Sequence, residues 1–346
     1  MYHTFYLITY PWYIILPDRP ASFAIKDPIL VVRQFAQSFF SQTLTILPLT
    51  DCANIPLPLF LVCPRLREVF LNNIRAIDNT YNEYPDNLCS VREVPPLEVL
   101  DYRDSHSLVK QMINPPSRFN TPVVLWSNLR ILMLSPHEKK GMAYLQPILD
   151  AACNTSEELY LTSIAWDKCR CIFFDNLKQK IVIWQGFYPV QQLSLAGLVN
   201  LGNLSHLHVF SLYVIIGCNE NAAILHDISM VLRTIPKSND VTNLCFDFKI
   251  VSWYPFRGCL DQDWVGMFNE VIRIADGKPL ELELQMVVYN GEPHSHVENQ
   301  LYRRIMEKAA PLLDYPKICT HFWNPTFEAH GLGLFSRGQV RSRCRR

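Results

Sequence analysis

Residues 44–55, LTILPLTDCANI, and residues 66–74, LREVFLNNI, spell one short pattern twice. Leu44, Leu47 and Leu49, followed by Cys52 and Ile55, recur as Leu66, Val69 and Leu71, followed by Ile74. Two apolar residues separated by one position put both side chains on the same face of an extended segment. A third apolar residue three positions earlier and a turn afterwards complete the unit. The step from Leu44 to Leu66 is 22 residues. Units of this kind, repeating at about 20–29 residues, stack side by side and bury a shared aliphatic interior, which is the leucine-rich-repeat pattern.

Working outward, apolar residues at helical spacing between Lys26 and Gln42 predict a helix leading into the first unit. Downstream, the pattern returns at Leu97–Tyr102, at Leu129–Leu134, and at Ser156–Ile164, where a serine replaces the first leucine. Ala76–Glu93 is polar and reads as an inserted loop. Ser135 followed by Pro136 and Glu138 predicts a capped helix start, with Pro147 bending the helix behind it. The stretch from Trp166 to Gly202 has no clear period. The next strand falls at Val190–Leu195, at Leu207–Leu212, or at both. Beyond it, helix and strand alternate through Glu220–Ile235, Val241–Phe246, Asp261–Gly277, Leu280–Leu284 and Val297–Leu313, to a last strand at Ile318–Trp323. The expected fold is therefore α/β: a leucine-rich-repeat-like solenoid over 26–330, with a curved parallel sheet on the concave side and helices on the convex side. Residues 1–25 form an N-terminal arm and 331–346 a basic, disordered tail. The same alternation also fits a doubly wound sheet. The strand entries favour the solenoid because they share LxxLxL rather than continuous Val/Ile runs.

Composition narrows the function. The 346 residues are 49% hydrophobic and 18% charged, with 32 basic and 32 acidic residues. A formal charge of zero points away from nucleic acid or an anionic membrane as the main partner. The apolar run from Met1 to Pro17 is interrupted by Pro11 and is shorter than the roughly 20 residues a membrane span requires. Eleven cysteines are scattered without a paired framework, and they read as buried thiols of an intracellular protein, cytoplasmic or nuclear.

Candidate chemistry is sparse. Cys169-x-Cys171 lacks a second pair at zinc spacing. His206 and His208 flank a strand residue, and His294 and His296 sit beside Gly291 and Pro293 in a loop-like stretch. Asp261 and Asp263 open a helix, where the dipole favours negative charge. There is no GxSxG elbow and no Gly-rich phosphate loop. We therefore expect no catalytic residue, no metal and no cofactor. The architecture does predict a binding face. In LxxLxL the leucines point inward, so the residues between and after them line the other face of the sheet. Those positions are Phe70, Asn72, Asp101, Arg103, Met133, Tyr160, Thr162, Ser211, Tyr213, Asp247 and Glu283, and the aromatic ones are of the kind that anchor protein interfaces.

The Leu44–Ile74 stretch, the Cys63-Pro-x-Leu66 entry and the Leu159–Ile164 strand resemble F-box/leucine-rich-repeat proteins, more specifically the expanded F-box-like families of mushroom-forming fungi. The resemblance covers roughly residues 30–330. It implies the client-binding repeat region of a substrate receptor for a cullin-type ubiquitin ligase, with a protein client on the concave face. It also implies a ligase adaptor gripped by the F-box. This sequence departs from the family there: Leu16-Pro17-Asp18 echoes the opening of an F-box without its following apolar helices. The other functional classes the sequence leaves open are an α/β enzyme with a site at the strand C-terminal ends and a degenerate paralogue without selected function.

Overall fold

In the computed structural model the apolar pairs of the repeated pattern become neighbouring strands of one sheet. It describes residues 23–24, 43–76, 93–117, 119, 122–136, 139–163, 194–216, 223–251, 257–289 and 295–323. The strands are β1 (Phe23–Ala24), β2 (Ile46–Thr50), β3 (Cys52–Ala53), β4 (Glu68–Asn72), β5 (Val99–Arg103), β6 (Ile131–Ser135), β7 (Glu158–Ser163), β8 (Val209–Ile216), β9 (Asn243–Val251), β10 (Leu280–Tyr289) and β11 (Ile318–Trp323). Nine of them form one sheet in unbroken chain order from β2 through β4 to β11. Every pair in it is parallel. The small β1–β3 pair stands apart, so residues 23–24, assigned from sequence to an undefined arm, are strand. The predicted helix over 26–42 lies outside the described residues.

Register is set by the leucines. Leu47, Val69, Leu100, Leu132, Leu159, Phe210, Leu244 and Leu282 pair successively, and Thr320 closes the row. A second inward row runs from Leu49 through Leu71, Tyr102, Leu134, Leu161, Leu212, Phe246 and Leu284 to Phe322. Every member of both rows is buried. A one-residue slip would turn a whole row to solvent, so burial of one face locks the pairing. The first apolar residue of each unit is buried too, including Ser156 in the place of a leucine. Among the described residues, all other-parity positions are half-buried or exposed except Asp101. Doubly wound parallel sheets carry helices on both faces and reverse their strand order at a switch point. Neither feature is present among the described residues.

The connections cover the inward face. They include α1 (Pro58–Leu61), α2 (His106–Ile113), α3 (Lys139–Met142), α4 (Leu145–Ala151), α5 (Ile224–Thr234), α6 (Arg257–Leu260), α7 (Trp264–Ala275), α8 (Ser295–Lys308) and α9 (Ala310–Leu313). Strands and helices are longest in the second half, and there the core is aromatic. Phe246 stacks on Phe248, Phe248 meets Trp264 edge-on at 5.3 Å, and Trp264 packs on Phe268. Helix α7 starts at Trp264, three residues after the expected opening at Asp261, and Asp263 caps it: its Oδ1 accepts a 2.8 Å bond from the Gly266 amide. It ends in left-handed residues at Asp276 and Gly277. Arg273 fastens α7 to α5 by donating to the Leu232 and Ile235 carbonyls, and within α7 it also donates to the buried carboxylate of Glu270.

Two local expectations are corrected. Ser135 is the last residue of β6 rather than a helix cap, and α3 begins at Lys139. Pro147 bends nothing: the helix is already broken between Met142 and Leu145, and Pro147 lies in the first turn of α4, where its missing N–H costs no bond. Of the two candidate strands after Trp166, the second is β8, although it begins at Val209. Leu195 is buried in a turn, and 190–193 lie outside the described residues.

Candidate functional site

Each strand that buries two leucines must turn the residue between them the other way, so one strand contributes two neighbouring outward positions. Pro48, Phe70, Asp101, Met133, Tyr160, Ser211, Cys245, Glu283 and His321 align strand by strand as one outward row. A second outward row pairs Thr50, Asn72, Arg103 and Ser135, and then Thr162, Tyr213, Asp247, Gln285 and Trp323. All the binding-face residues predicted from sequence therefore fall in these two rows. Tyr160 is 37% exposed; Asn72, Arg103 and Glu283 are exposed; Phe70, Met133, Ser211, Tyr213 and Asp247 are half-buried. Asp101 differs from its neighbours in being buried, at 8% exposure.

That burial is tolerable because Asp101 is paired. Arg103 donates to it through Nε and a terminal nitrogen, both at 3.2 Å, and so holds a guanidinium flat along the face. Together with Leu49, Thr50, Phe70, Leu71 and Asn72 the pair lines a shallow depression of about 180 Å³ at the C-terminal ends of β2, β4 and β5. Beside it the chain turns the same way three times. Asp51, Asn73 and Asp104 each follow a strand with positive φ, at 51°, 53° and 44°, a conformation Asp and Asn accept better than most residues. Asn73 Nδ2 donates to Asp51 Oδ1 at 2.7 Å. Ser105, fully buried, accepts from the Ile74 amide at 3.0 Å and donates to the Arg103 carbonyl at 2.7 Å. These bonds fix where Asn72 and Arg103 emerge.

The β7–β10 half is acidic. The Tyr160 hydroxyl donates to Glu158 at 2.8 Å, and partial burial together with that bond pushes the phenol up to about 12. Cys245 lies 3.8 Å from a Glu283 oxygen, and burial followed by the Glu283 charge pushes its thiol up to about 11. Asn243 donates to Glu281 at 3.1 Å. On β11, Cys319 Sγ is 3.5 Å from His321 Nε2. No family model matches this chain, and no curated relative does either.

The sequence reading missed a ladder at the opposite edge of the sheet. The residues just before the strands, Arg67, Glu98, Arg130, Glu157 and His208, are joined through the backbone from one unit to the next. Arg67 pairs with Glu98, and Arg130 with Glu157 through 2.9 and 2.7 Å bonds. Alternating charge at the residue before each outward position was the available signal. Exposed pairs of this kind contribute little energy but disfavour a shifted register.

The remaining candidates come to little. Among the described residues, no group of three or more His, Cys, Asp and Glu could hold a metal. His208 Nδ1 sits 3.1 Å from the Asp240 carbonyl, before β8, and His206 is exposed. Cys169, Cys171, His294 and the basic tail lie outside the described residues. Among the described residues no helix is long and apolar enough to cross a membrane.

Proposed function

We propose that the chain is a leucine-rich-repeat-like solenoid whose outward sheet face, on the concave side, is a non-catalytic protein-binding surface. It would be the client-binding region of an F-box-like substrate receptor for a cullin-type ubiquitin ligase, with a protein client as its partner. One observation carries the reading: nine parallel strands in unbroken order present two registered rows of aromatic, polar and charged side chains on a face that the core leaves open. Phe70 and Tyr160 supply rigid anchors, and Arg103 supplies a guanidinium already oriented by Asp101. The depression lies at strand C-terminal ends, where an α/β enzyme would keep its site. Its two charged groups neutralise each other, which suits recognition better than proton transfer. The free thiols among the described cysteines suit a reducing, intracellular setting.

The test is proximity labelling by the full chain in its native cell, compared with a Phe70→Ser/Tyr160→Ser/Arg103→Glu variant. A set of labelled proteins lost in the variant, with folding unchanged by circular dichroism, supports the surface. An identical set from both chains removes it. Co-precipitation of the ligase adaptor is scored separately, because its absence would cut the ubiquitin link and leave the binding face.

A further inference from the structure

We infer that the arginine-rich segment 337–346 of this same chain docks on the acidic β7–β10 half of the outward face. That half presents the carboxylates of Glu158, Asp247, Glu281 and Glu283 on adjoining strands. Among the described residues, Lys249 on β9 and His321 on β11 are the basic residues whose register position shares this parity. The segment carries Arg337, Arg341, Arg343, Arg345 and Arg346, and residues 324–346 contain a single acidic residue, Glu328. The chain as a whole has zero net charge, so this stretch of surplus positive charge leaves the remainder acidic by the same amount.

Position agrees with charge. β11 is the last strand among the described residues, pairs with β10, and runs to Trp323, in register with Gln285. From there, an extended chain of about 3.3 Å per residue easily spans the four strand spacings, about 19 Å, to β7. The seat also has partly formed contacts. Glu281 and Glu283 each use one oxygen toward Asn243 and Cys245, and a carboxylate offers about four acceptor sites, enough left for a guanidinium fork. Tyr160 and Tyr213 add ring faces on which arginine stacks. The docking occupies the face proposed for a client but needs no client. Its failure would therefore leave the client surface standing, and loss of the client surface would leave the docking testable.

The experiment is limited trypsin digestion of the full chain, with a synthetic 324–346 peptide as the unprotected reference. At low salt we expect cleavage after Arg341 and Arg343 to be at least tenfold slower in the chain than in the peptide. In about 0.5 M salt, where screening shortens to a few ångströms, that protection should vanish. It should also vanish in a Glu281→Gln/Glu283→Gln variant, whose substituted side chains are exposed. Cleavage as fast as in the free peptide overturns the inference, and so does protection that ignores salt or the variant. A native reporter locates the seat. Under mild copper-phenanthroline oxidation Cys344 should link to Cys245 or Cys319 within one chain, with a yield at least fivefold higher at low salt. Salt-independent linking, or linking to other cysteines, counts against the proposed seat.

Discussion

Tyr160 and Leu161 are adjacent in sequence and lie on opposite faces of β7, so truncating each in turn reads the register directly. Leu161 is 2% exposed and sits between Leu134 and Leu212 in an inward row. Leu161→Ala removes buried aliphatic atoms from a close-packed layer, and such truncations cost about 2–5 kcal/mol. Tyr160 is 37% exposed, stands in register between Met133 and Ser211, and gives one surface hydrogen bond to Glu158. Tyr160→Ala forfeits a cross-strand contact of about 0.2–1 kcal/mol and little else. With a urea slope of about 3 kcal/mol/M, Leu161→Ala should lower the midpoint by about 1 M and Tyr160→Ala by about a third of that or less. The assay is urea unfolding followed by both circular dichroism and tryptophan fluorescence, whose curves should coincide. Equal losses, or a larger loss for Tyr160→Ala, would refute the assignment of faces and remove the basis for an open surface.

Three further outcomes are expected. Ser105→Ala strips the buried Ile74 amide of its acceptor and should cost about 1–3 kcal/mol in the same unfolding assay; no loss would mean the serine does not brace the strand ends. Thr320→Val should raise stability by about 1 kcal/mol, because the Thr320 hydroxyl is fully buried in a row of aliphatic residues and has no hydrogen-bond partner among the described residues; a destabilised variant would show that the hydroxyl has a partner after all. The Arg130 hydrogen bond and charge hold the Glu157 carboxyl below the usual carboxylate range. A depressed pKa gives stabilisation that is complete above the unfolded value and lost as pH falls through the folded one. Carboxyl NMR should therefore show Glu157 titrating low, and returning to the ordinary range in Arg130→Gln. An unchanged titration would break the pairing.

Much of the sheet was legible because its rule is local. LxxLxL states which two side chains go inward, and alternation then assigns Phe70, Tyr160 and Tyr213 to the other face before any partner strand is known. The failures were also local in kind. Ser135 and Pro136 carry good helix-start chemistry, but pairing with Arg103 across β5 and β6 keeps Ser135 in the sheet. His208 and Leu207 fit the pattern, yet the strand opens at Val209. Of the bonds that brace the candidate face, the one from the Ile74 amide to the Ser105 hydroxyl joins two successive units, and the one from Arg103 to Asp101 runs along a strand. The roles of Ser105 and Asp101 could not be read from spacing.

The sequence by itself determined the parity of every leucine-patterned strand, and with it the two sets of residues that face apart, because side chains alternate along an extended chain whatever lies beside it. The tertiary structure decided what alternation leaves open: that the strands lie in chain order, that one face is buried and the other is not, and that Asp101 is buried beneath Arg103 while Tyr160 is exposed. Burial depends on the neighbours a residue acquires, and those come from segments that are 22 to 51 positions away in the chain.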